Sequence, residues 1–472
     1  MVFSSSVFLI LFLPFTIIVY YNPLTDWISR RSGIGFRNIV LLATSLVFYA
    51  WGEPIYVFCM ILSILVTYFV GRGIACDKIK NSKGVLAFGI TYHILMLFVF
   101  KYSTFIVTQI RGVFNDELDA MRDIPLPIGI SFYTFQLMSY LFDVYYGKAK
   151  VQNNVLSIAL YATMFPQLIA GPIVRYSEIA KQIDQRDTDR IEFCDGSERF
   201  IYGLGKKVLL ADCLAYTVDR IWALDSRPAY VAWVGAICYT LQIYYDFSGY
   251  SDMAIGLGKM FGFHFSENFN YPYIAKSVTE FWRRWHISLS SWFRDYVYIP
   301  LGGSRVTKRE WMRNIFVVWL LTGIWHGANW TFLCWGLIYF IVLMFEKYTG
   351  FPNKLGWLSH VYTMLIVSLA WVMFRSDTIS DGLKYIGEMF GFGNAGLSSL
   401  PTINITIVGT LFAIVVAIIL SAPVFPAVSA KMMDVSPRLF GIIRSVVALV
   451  IFAVAFSRVM AQSYTAFIYF NF

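Results

Sequence analysis

Charged side chains are scarce in this sequence of 472 residues: Asp, Glu, Lys and Arg make up 14% of it, and hydrophobic residues make up 58%. Soluble domains carry about a quarter charged residues. A chain of this composition, with a mean hydropathy of +0.61, cannot hide its apolar surface in a water-soluble core. The scarcity of charge therefore excludes the ordinary soluble classes and predicts a protein whose solvent is lipid.

Cysteine and histidine are also few, and the common signatures of soluble enzymes are absent. None of the six cysteines forms a C-x-x-C pair, and there are five histidines in all. These numbers argue against a disulfide framework and against a multi-histidine metal centre, so no metal is expected. The sequence also lacks an H-E-x-x-H segment, a G-x-S-x-G elbow, a Walker A loop and a G-x-G-x-x-G turn.

Positive charge exceeds negative charge, and the net charge is +9. Cytoplasmic loops rich in Lys and Arg explain this excess more simply than a nucleic-acid partner, so membrane lipid is expected and nucleic acid is not. The largest basic cluster lies within residues 276–313, and Lys206-Lys207 is a smaller one. Internal repeats and long linkers are absent, which predicts a single membrane domain over residues 1–472.

Apolar runs of about the length of a membrane helix recur along the whole chain and predict an all-α, polytopic membrane protein. The runs lie near residues 2–21, 37–51, 54–71, 85–106, 129–146, 151–171, 200–222, 229–245, 315–345, 356–374, 403–425 and 438–461. As one helix, the run 315–345 would measure about 46 Å, whereas a bilayer core is about 30 Å thick. We therefore expect a break at Gly327-Ala328-Asn329, or a re-entrant segment there.

Two histidines stand out as candidates for chemistry. His326 lies in the run 315–345, which contains no Asp, Glu, Lys or Arg. Ionisable groups at membrane depth are costly and usually line a cavity or pathway, and imidazole can act as a general base near neutral pH. His286 lies in residues 280–296, whose spacing predicts a basic, Trp-rich amphipathic helix that could simply rest on an anionic membrane surface. Taken by itself, His286 could therefore be a structural hydrogen-bonding residue.

A third segment, residues 242–252, is rich in polar and aromatic side chains although it lies between apolar runs. Its hydroxyls and carboxylates would be expensive to bury without partners. A polar loop at the membrane interface and a buried functional segment are both compatible with this pattern.

The residues around both histidines resemble the membrane-bound O-acyltransferases, within them the bacterial alginate O-acetyltransferase branch. The resemblance rests on residues 280–298 (EFWRRWHISLSSWFRDYVY), 301–303 (LGG) and 323–329 (GIWHGAN). Residues 1–5, 126–132, 165–172 and 246–256 support it. It covers about residues 1–346, with a motif-bearing core at about 126–346, whereas the C-terminal helices over 356–472 are generic.

The resemblance implies a ring of roughly 11 to 13 transmembrane and re-entrant helices around a central tunnel. It also implies a multi-pass protein of the bacterial inner membrane that binds no permanent cofactor and uses acetyl-CoA as its acyl donor. The acetyl group would cross the membrane and reach an extracytoplasmic polysaccharide through a serine-esterase-like (SGNH) partner. Alginate is the acceptor this branch implies; peptidoglycan, cellulose, another exopolysaccharide, or D-alanyl transfer to teichoic acid are the alternatives. A transporter or flippase is the non-enzyme alternative.

Specific residues follow from the matched motifs. His326 takes the place of the family's catalytic histidine, and His286 is the accompanying motif histidine. Residues predicted to contact substrate or to line the tunnel are Trp325, Asn329, Asp295, Arg294, Asp246 and Tyr250. Residues predicted to attract the coenzyme's phosphates are Arg283, Arg284, Lys308 and Arg309.

Overall fold

The structure is a computed structural model that describes residues 1–32, 35–114, 125–393 and 407–461. The described residues form helices and turns without any strand, which confirms the predicted all-α class. In chain order the first helices are α1 (Leu13–Tyr20), α2 (Pro23–Ser32), α3 (Phe36–Gly52), α4 (Tyr56–Ile74), α5 (Ser82–Leu97), α6 (Ser103–Phe114), α7 (Ile130–Tyr145), α8 (Val155–Thr163), α9 (Phe165–Leu168) and α10 (Tyr176–Asp184).

The middle of the chain carries longer helices and several short ones. These are α11 (Arg190–Gly205), α12 (Asp212–Trp222), α13 (Ala229–Met260), α14 (Val278–Arg284), α15 (Ile287–Phe293), α16 (Lys308–His326) and α17 (Trp330–Thr349). The remaining helices are α18 (Phe351–Lys354), α19 (Leu358–Arg375), α20 (Ile379–Met389), α21 (Ile407–Leu420), α22 (Val424–Val435) and α23 (Pro437–Met460). Wider π-helical turns cover Phe8–Phe12, Phe98–Tyr102, Lys206–Ala211 and Arg294–Tyr298, and a 3-10 turn covers Pro272–Ile274.

Several helices are long and apolar enough to cross a bilayer, so the chain is a multi-pass membrane protein. Within the described residues they are Tyr56–Ile74, Ser82–Ile110, Trp330–Thr349, Leu358–Arg375 and Pro437–Met460. A sixth crossing results if Gly409–Leu420 and Val424–Val435, which meet at a bend of 63°, count as one span. The predicted run 403–425 covers this bend, but residues 403–406 lie outside the described residues. The number of crossings and the ring around a tunnel stay predictions.

The helices pack into two compact units. The first unit is Met1–Phe200 with Met253–Ser266, and the second unit is Ile201–Asp252 with Glu267–Phe472. In the first unit, α4, α5 and α7 pack together and α3 packs on α8. The second unit packs α16 against α17, α17 against α19, and the short α14 against both α17 and α19. Both candidate histidines belong to the second unit, and the prediction of one membrane domain stays a prediction.

The long apolar run 315–345 is broken where the sequence predicts. Helix α16 ends at His326, and α17 begins at Trp330, where the Asn329 side chain accepts a hydrogen bond from the Thr331 amide. The two helices pack very closely at Gly323, which has no side chain. A Cβ atom there would lie only 2.7 Å from the Phe332 carbonyl oxygen. The break therefore places His326 at the end of a helix, inside a tight helical hairpin.

The interface-loop interpretation of residues 242–252 is wrong. These residues form the middle of α13, and most of their side chains are buried. The two carboxylates of the segment are compensated by lysines: Asp246 pairs with Lys207 at 2.6 Å and Asp252 pairs with Lys206 at 2.6 Å. The segment is thus a polar stripe within the second unit.

The predicted amphipathic surface helix over residues 280–296 is also wrong. The chain forms two short helices, α14 and α15, separated at His286, whose backbone is left-handed with φ of 43°. Trp285, Leu289 and Trp292 are buried in protein, so they cannot lie on a membrane surface. Helical spacing groups these residues on one face, but backbone pairing with a distant segment interrupts the helix.

Candidate active site

The imidazole of His326 lies in a box of aromatic rings. Ring centroids of Trp335, Trp325 and Phe374 lie 4.9, 5.0 and 5.2 Å from that of His326, each with an edge-to-face orientation. Phe332 lies further away, at 6.5 Å. Helices α16, α17 and α19 supply these residues, and His326 itself is 8% exposed. The ring is therefore held in apolar surroundings, where electrostatic interactions with a reacting group are stronger than in water.

His286 adopts a backbone conformation that side-chain-bearing residues rarely take. Its left-handed φ is stabilised because residues 268–270 run beside residues 284–287. The amide of Ile287 donates to the Asn268 carbonyl at 3.0 Å, and the amide of Asn270 donates to the Arg284 carbonyl at 2.9 Å. Strained backbone that the surroundings hold in place is typical of functional sites.

The His286 side chain is fully buried and touches both an amide and aromatic rings. Its Nδ1 lies 3.2 Å from Oδ1 of Asn268, and its ring meets Phe247 edge-on with centroids 4.6 Å apart. This residue lies outside the spanning helices, and burial lowers the pKa of its imidazole to about 3. His286 is consequently neutral at physiological pH.

Trp325 joins the two histidines. Its ring centroid lies 5.9 Å from that of His286 and 5.0 Å from that of His326. Three of the residues predicted from the motifs, His286, Trp325 and His326, therefore form one cluster in the second unit.

Asp246 and Tyr250 are buried on α13, about one helical turn apart. Phe247, which contacts His286, lies between them in the sequence. The ammonium of Lys207 binds two carboxylates, at 2.6 Å for Asp246 and 2.8 Å for Asp212. The assignment of Lys207 to a basic cytoplasmic cluster is wrong, because its side chain is 2% exposed. It belongs to a buried ion-pair network.

The remaining predicted residues lie away from the cluster of histidines or already have protein partners. Arg284 pairs with Glu280, and Arg294 pairs with the neighbouring Asp295 at 2.6 Å. The Asn329 amide donates to the Asp377 carbonyl, so it has a structural role in the hairpin. Their predicted contacts with substrate or coenzyme stay predictions.

Three of the four residues predicted to attract the coenzyme's phosphates are exposed: Arg283, Lys308 and Arg309. Lys308 begins α16 and His326 ends it, which corresponds to a separation of about 27 Å along the helix. Lys308 and Arg309 therefore cannot touch an acyl group held at His326, although they can attract a charged carrier from a distance.

Sequence reasoning missed several residues of this site. Asn268 holds His286, and Trp335 and Phe374 form two walls around His326. Asn268 lies 18 positions before His286 with no spacing rule that links them, so only the tertiary structure reveals the pair. The two walls come from helices that the sequence identifies by hydropathy alone.

Comparisons with known proteins identify the same family that the sequence motifs resemble. The model of the membrane-bound O-acyltransferase (MBOAT) family matches residues 95–363. The probable alginate O-acetylase AlgI of Azotobacter vinelandii is 38% identical, with 100% of both chains covered. The protein of the same name from Pseudomonas aeruginosa is 42% identical over 87% of this chain and 79% of its own. The peptidoglycan O-acetyltransferase of Helicobacter pylori is 33% identical over 85% of this chain and 82% of its own.

The family match covers more than half of the chain, and it includes both histidine segments of the site. The relatives named as acetyl-transferring enzymes cover it almost from end to end. The chain is therefore an acyltransferase that belongs to the membrane-bound O-acyltransferase family.

Proposed function

We propose that this acyltransferase takes acetyl from cytoplasmic acetyl-CoA and passes it across the bacterial inner membrane for O-acetylation of an extracytoplasmic polysaccharide. The observation that carries the proposal is the buried imidazole of His326 inside its aromatic box, in one cluster with the neutral His286. Full-length similarity to probable alginate O-acetylases supports acetyl as the group transferred and alginate as the acceptor.

The chemistry requires a base and an apolar setting. A thioester is activated, but its acyl carbon must be attacked by a weak hydroxyl nucleophile. His326 accepts the hydroxyl proton while the new C–O bond forms and the C–S bond breaks, and the proton then passes to the departing thiolate. Alternatively, the imidazole nitrogen attacks first and carries the acetyl group before handing it to the hydroxyl. Both routes use a neutral His326 and balance with coenzyme A as the only other product.

Charge on the protein's surface suits an anionic carrier. Arg283, Lys308 and Arg309 are exposed within the most basic stretch of the chain, residues 276–313. Such residues raise the local concentration of a negatively charged thioester without binding it at the reaction centre. The positive-inside rule favours the cytoplasmic side for the same residues, where acetyl-CoA is found.

The acceptor and the extracytoplasmic partner follow from the same proposal. An SGNH, serine-esterase-like acetyltransferase would receive the acetyl group outside the membrane and complete transfer to the polymer. Peptidoglycan is the second candidate acceptor because the Helicobacter pylori relative is named for it and covers most of this chain. Cellulose and D-alanyl transfer to teichoic acid have weaker support from the observations.

A transporter or flippase is disfavoured by the ion pairs of the two candidate carboxylates on α13. Ion-coupled transport needs intramembrane carboxylates that can exchange their cation. The candidate carboxylates are Asp143, which is buried on α7, and Asp246 and Asp252 on α13. The two on α13 form close ion pairs with Lys207 and Lys206. Their charges are compensated by the protein itself.

Purified protein in proteoliposomes tests the proposal directly. We expect free coenzyme A thiol to be released from acetyl-CoA when the extracytoplasmic partner or a hydroxyl acceptor is supplied. With a D-alanyl carrier thioester as the donor, we expect no release of the carrier's thiol. Comparison of alginate and peptidoglycan fragments as acceptors distinguishes the two candidate polymers. Movement of intact cargo without thioester consumption would contradict the proposal and favour a transporter.

The orientation of the basic segment is a separate prediction. A cysteine introduced at Lys308 in a cysteine-free background should resist a membrane-impermeant maleimide in intact cells and react after lysis, because the segment faces the cytoplasm. Lys308 is exposed at the start of α16, so a cysteine there is reachable from water. Labelling in intact cells would reverse the topology and with it the side on which the donor binds.

A further inference from the structure

The side chain of Asn268 is completely buried and makes four polar contacts in the second unit. Its Nδ2 donates to Oγ of Ser251 at 3.0 Å. Its Oδ1 lies 3.2 Å from the Ser288 amide nitrogen, 2.8 Å from Ser288 Oγ and 3.2 Å from Nδ1 of His286. Both ends of the amide are thus engaged, one with α13 and the other with the His286 turn.

These contacts decide which end of the amide is oxygen. A backbone N–H can only donate, so the Asn268 atom that faces the Ser288 amide must be the acceptor. The opposite end then carries the two N–H groups, which matches its contact with Ser251 Oγ. The same oxygen therefore faces Nδ1 of His286.

Proton accounting at Ser288 completes the argument. Its hydroxyl has one hydrogen, and the shorter contact, 2.8 Å, is with Asn268 Oδ1, whereas Nδ1 of His286 is 3.5 Å away. The hydroxyl therefore donates to Asn268 and leaves Nδ1 of His286 to donate its own hydrogen to the amide oxygen. A neutral imidazole has one N–H only.

We infer that Asn268 is a positioning residue that holds His286 in the tautomer protonated at Nδ1, so that Nε2 is the nitrogen able to accept a proton. This inference rests on the proposed acyl transfer and assigns His286 a defined role in it. The left-handed backbone at His286 and the pairing of residues 268–270 with 284–287 set the same geometry. Nε2 of His286 is thereby the nitrogen that accepts a hydrogen bond during acyl transfer, while His326 takes the proton of the attacking hydroxyl.

Several charged groups on the elements around His286 are paired with one another, whereas Asn268 contacts Nδ1 of His286 directly. On α13, Asp246 pairs with Lys207 and Asp252 with Lys206. On α14, Arg284 pairs with Glu280, and on the turn after α15, Arg294 pairs with Asp295. On α16 the titratable residue at the C-terminal end is His326, and the Trp325 ring contacts both His326 and His286.

Two substitutions at Asn268 separate positioning from simple structural support. Asn268→Leu removes the acceptor at nearly constant volume, and we expect kcat to fall about 10²-fold with little change in KM for acetyl-CoA, because the wrong tautomer becomes accessible. Asn268→Asp keeps an acceptor at Nδ1 but adds a negative charge, which raises the pKa of His286. Activity of the Asp variant should therefore be near that of the wild type at about pH 8 and fall as the pH decreases towards about 5, where wild-type activity is less affected.

Ser251→Ala is the matched control because it removes the partner at the other end of the same amide. We expect a much smaller fall in kcat and an unchanged pH profile, since Asn268 Oδ1 still faces Nδ1 of His286. His286→Ala should lose at least as much activity as Asn268→Leu. The double variant Asn268→Leu, His286→Ala should lose no more activity than His286→Ala alone.

The outcomes separate this inference from the function on which it rests. If the wild type consumes no acyl thioester, the proposed function fails before Asn268 is tested. If the wild type is active and Asn268→Leu retains wild-type kcat, or the Asp variant has an unshifted profile, Asn268 does not set the tautomer. If the size-exclusion profile in detergent shows that the Leu variant does not fold, the pH profile of the Asp variant decides whether Asn268 sets the tautomer of His286.

Discussion

His326→Ala should abolish acetyl transfer while the protein remains inserted and folded. The imidazole is the protonatable group of the aromatic box, and losing a general base or nucleophile costs at least about 10²-fold in rate. His326→Gln keeps most of the side-chain volume between Trp335 and Phe374 but cannot shuttle a proton at neutral pH, so it should be equally inactive. The measurement is thiol release from acetyl-CoA by purified protein, together with polymer acetylation in cells.

A histidine of the first unit, outside this cluster, provides the control. His264 is exposed in the first unit and pairs with Glu192 at 2.8 Å, so His264→Ala should keep wild-type turnover. Expression level and detergent size-exclusion profile should be the same for all three variants. Normal polymer acetylation by well-expressed His326→Ala would remove His326 from the mechanism, and an equal loss in His264→Ala would indicate a general effect on folding.

The large features of this fold could be predicted from the sequence because lipid imposes simple constraints. Apolar runs located the helices, and a length of about 46 Å required a break in residues 315–345, which the structure has at residues 327–329. His326 could be singled out by the absence of charge around it. These inferences need only local composition and the thickness of a bilayer.

The features that sequence reasoning got wrong all depend on partners distant in the chain. Helical periodicity over residues 280–296 favours one surface helix, but hydrogen bonds from residues 268–270 hold His286 in a left-handed conformation and split it. Charge counting places Lys207 in a loop, since nothing local reveals that Asp246 will lie 2.6 Å from its ammonium. Side-chain partners such as these are set by tertiary packing, which overrides local propensity.

Lys207→Met is expected to destabilise the protein severely. The Lys207 ammonium binds Asp246 and Asp212, and all three side chains are at most 5% exposed. Removing it leaves two buried carboxylates without their cation, which costs about 3–5 kcal/mol, a large part of the roughly 5–15 kcal/mol that stabilises a typical protein. Thermal unfolding in detergent and the yield of monodisperse protein measure the loss.

The neighbouring lysine and a compensating variant make this prediction specific. Lys206 lies in the same π-helical turn and pairs with one carboxylate, Asp252, but its side chain is 32% exposed, so Lys206→Met should cost far less. Neutralising the orphaned carboxylates in a Lys207→Met, Asp212→Asn, Asp246→Asn triple variant should recover much of the lost stability, because the penalty comes from unpaired buried charge. Equal stability of the two single lysine variants, or no recovery in the triple variant, would show that the network does not stabilise the second unit through its charges. Recovered folding with wild-type acetyl transfer would further show that the negative charge of Asp246 is not needed for the reaction.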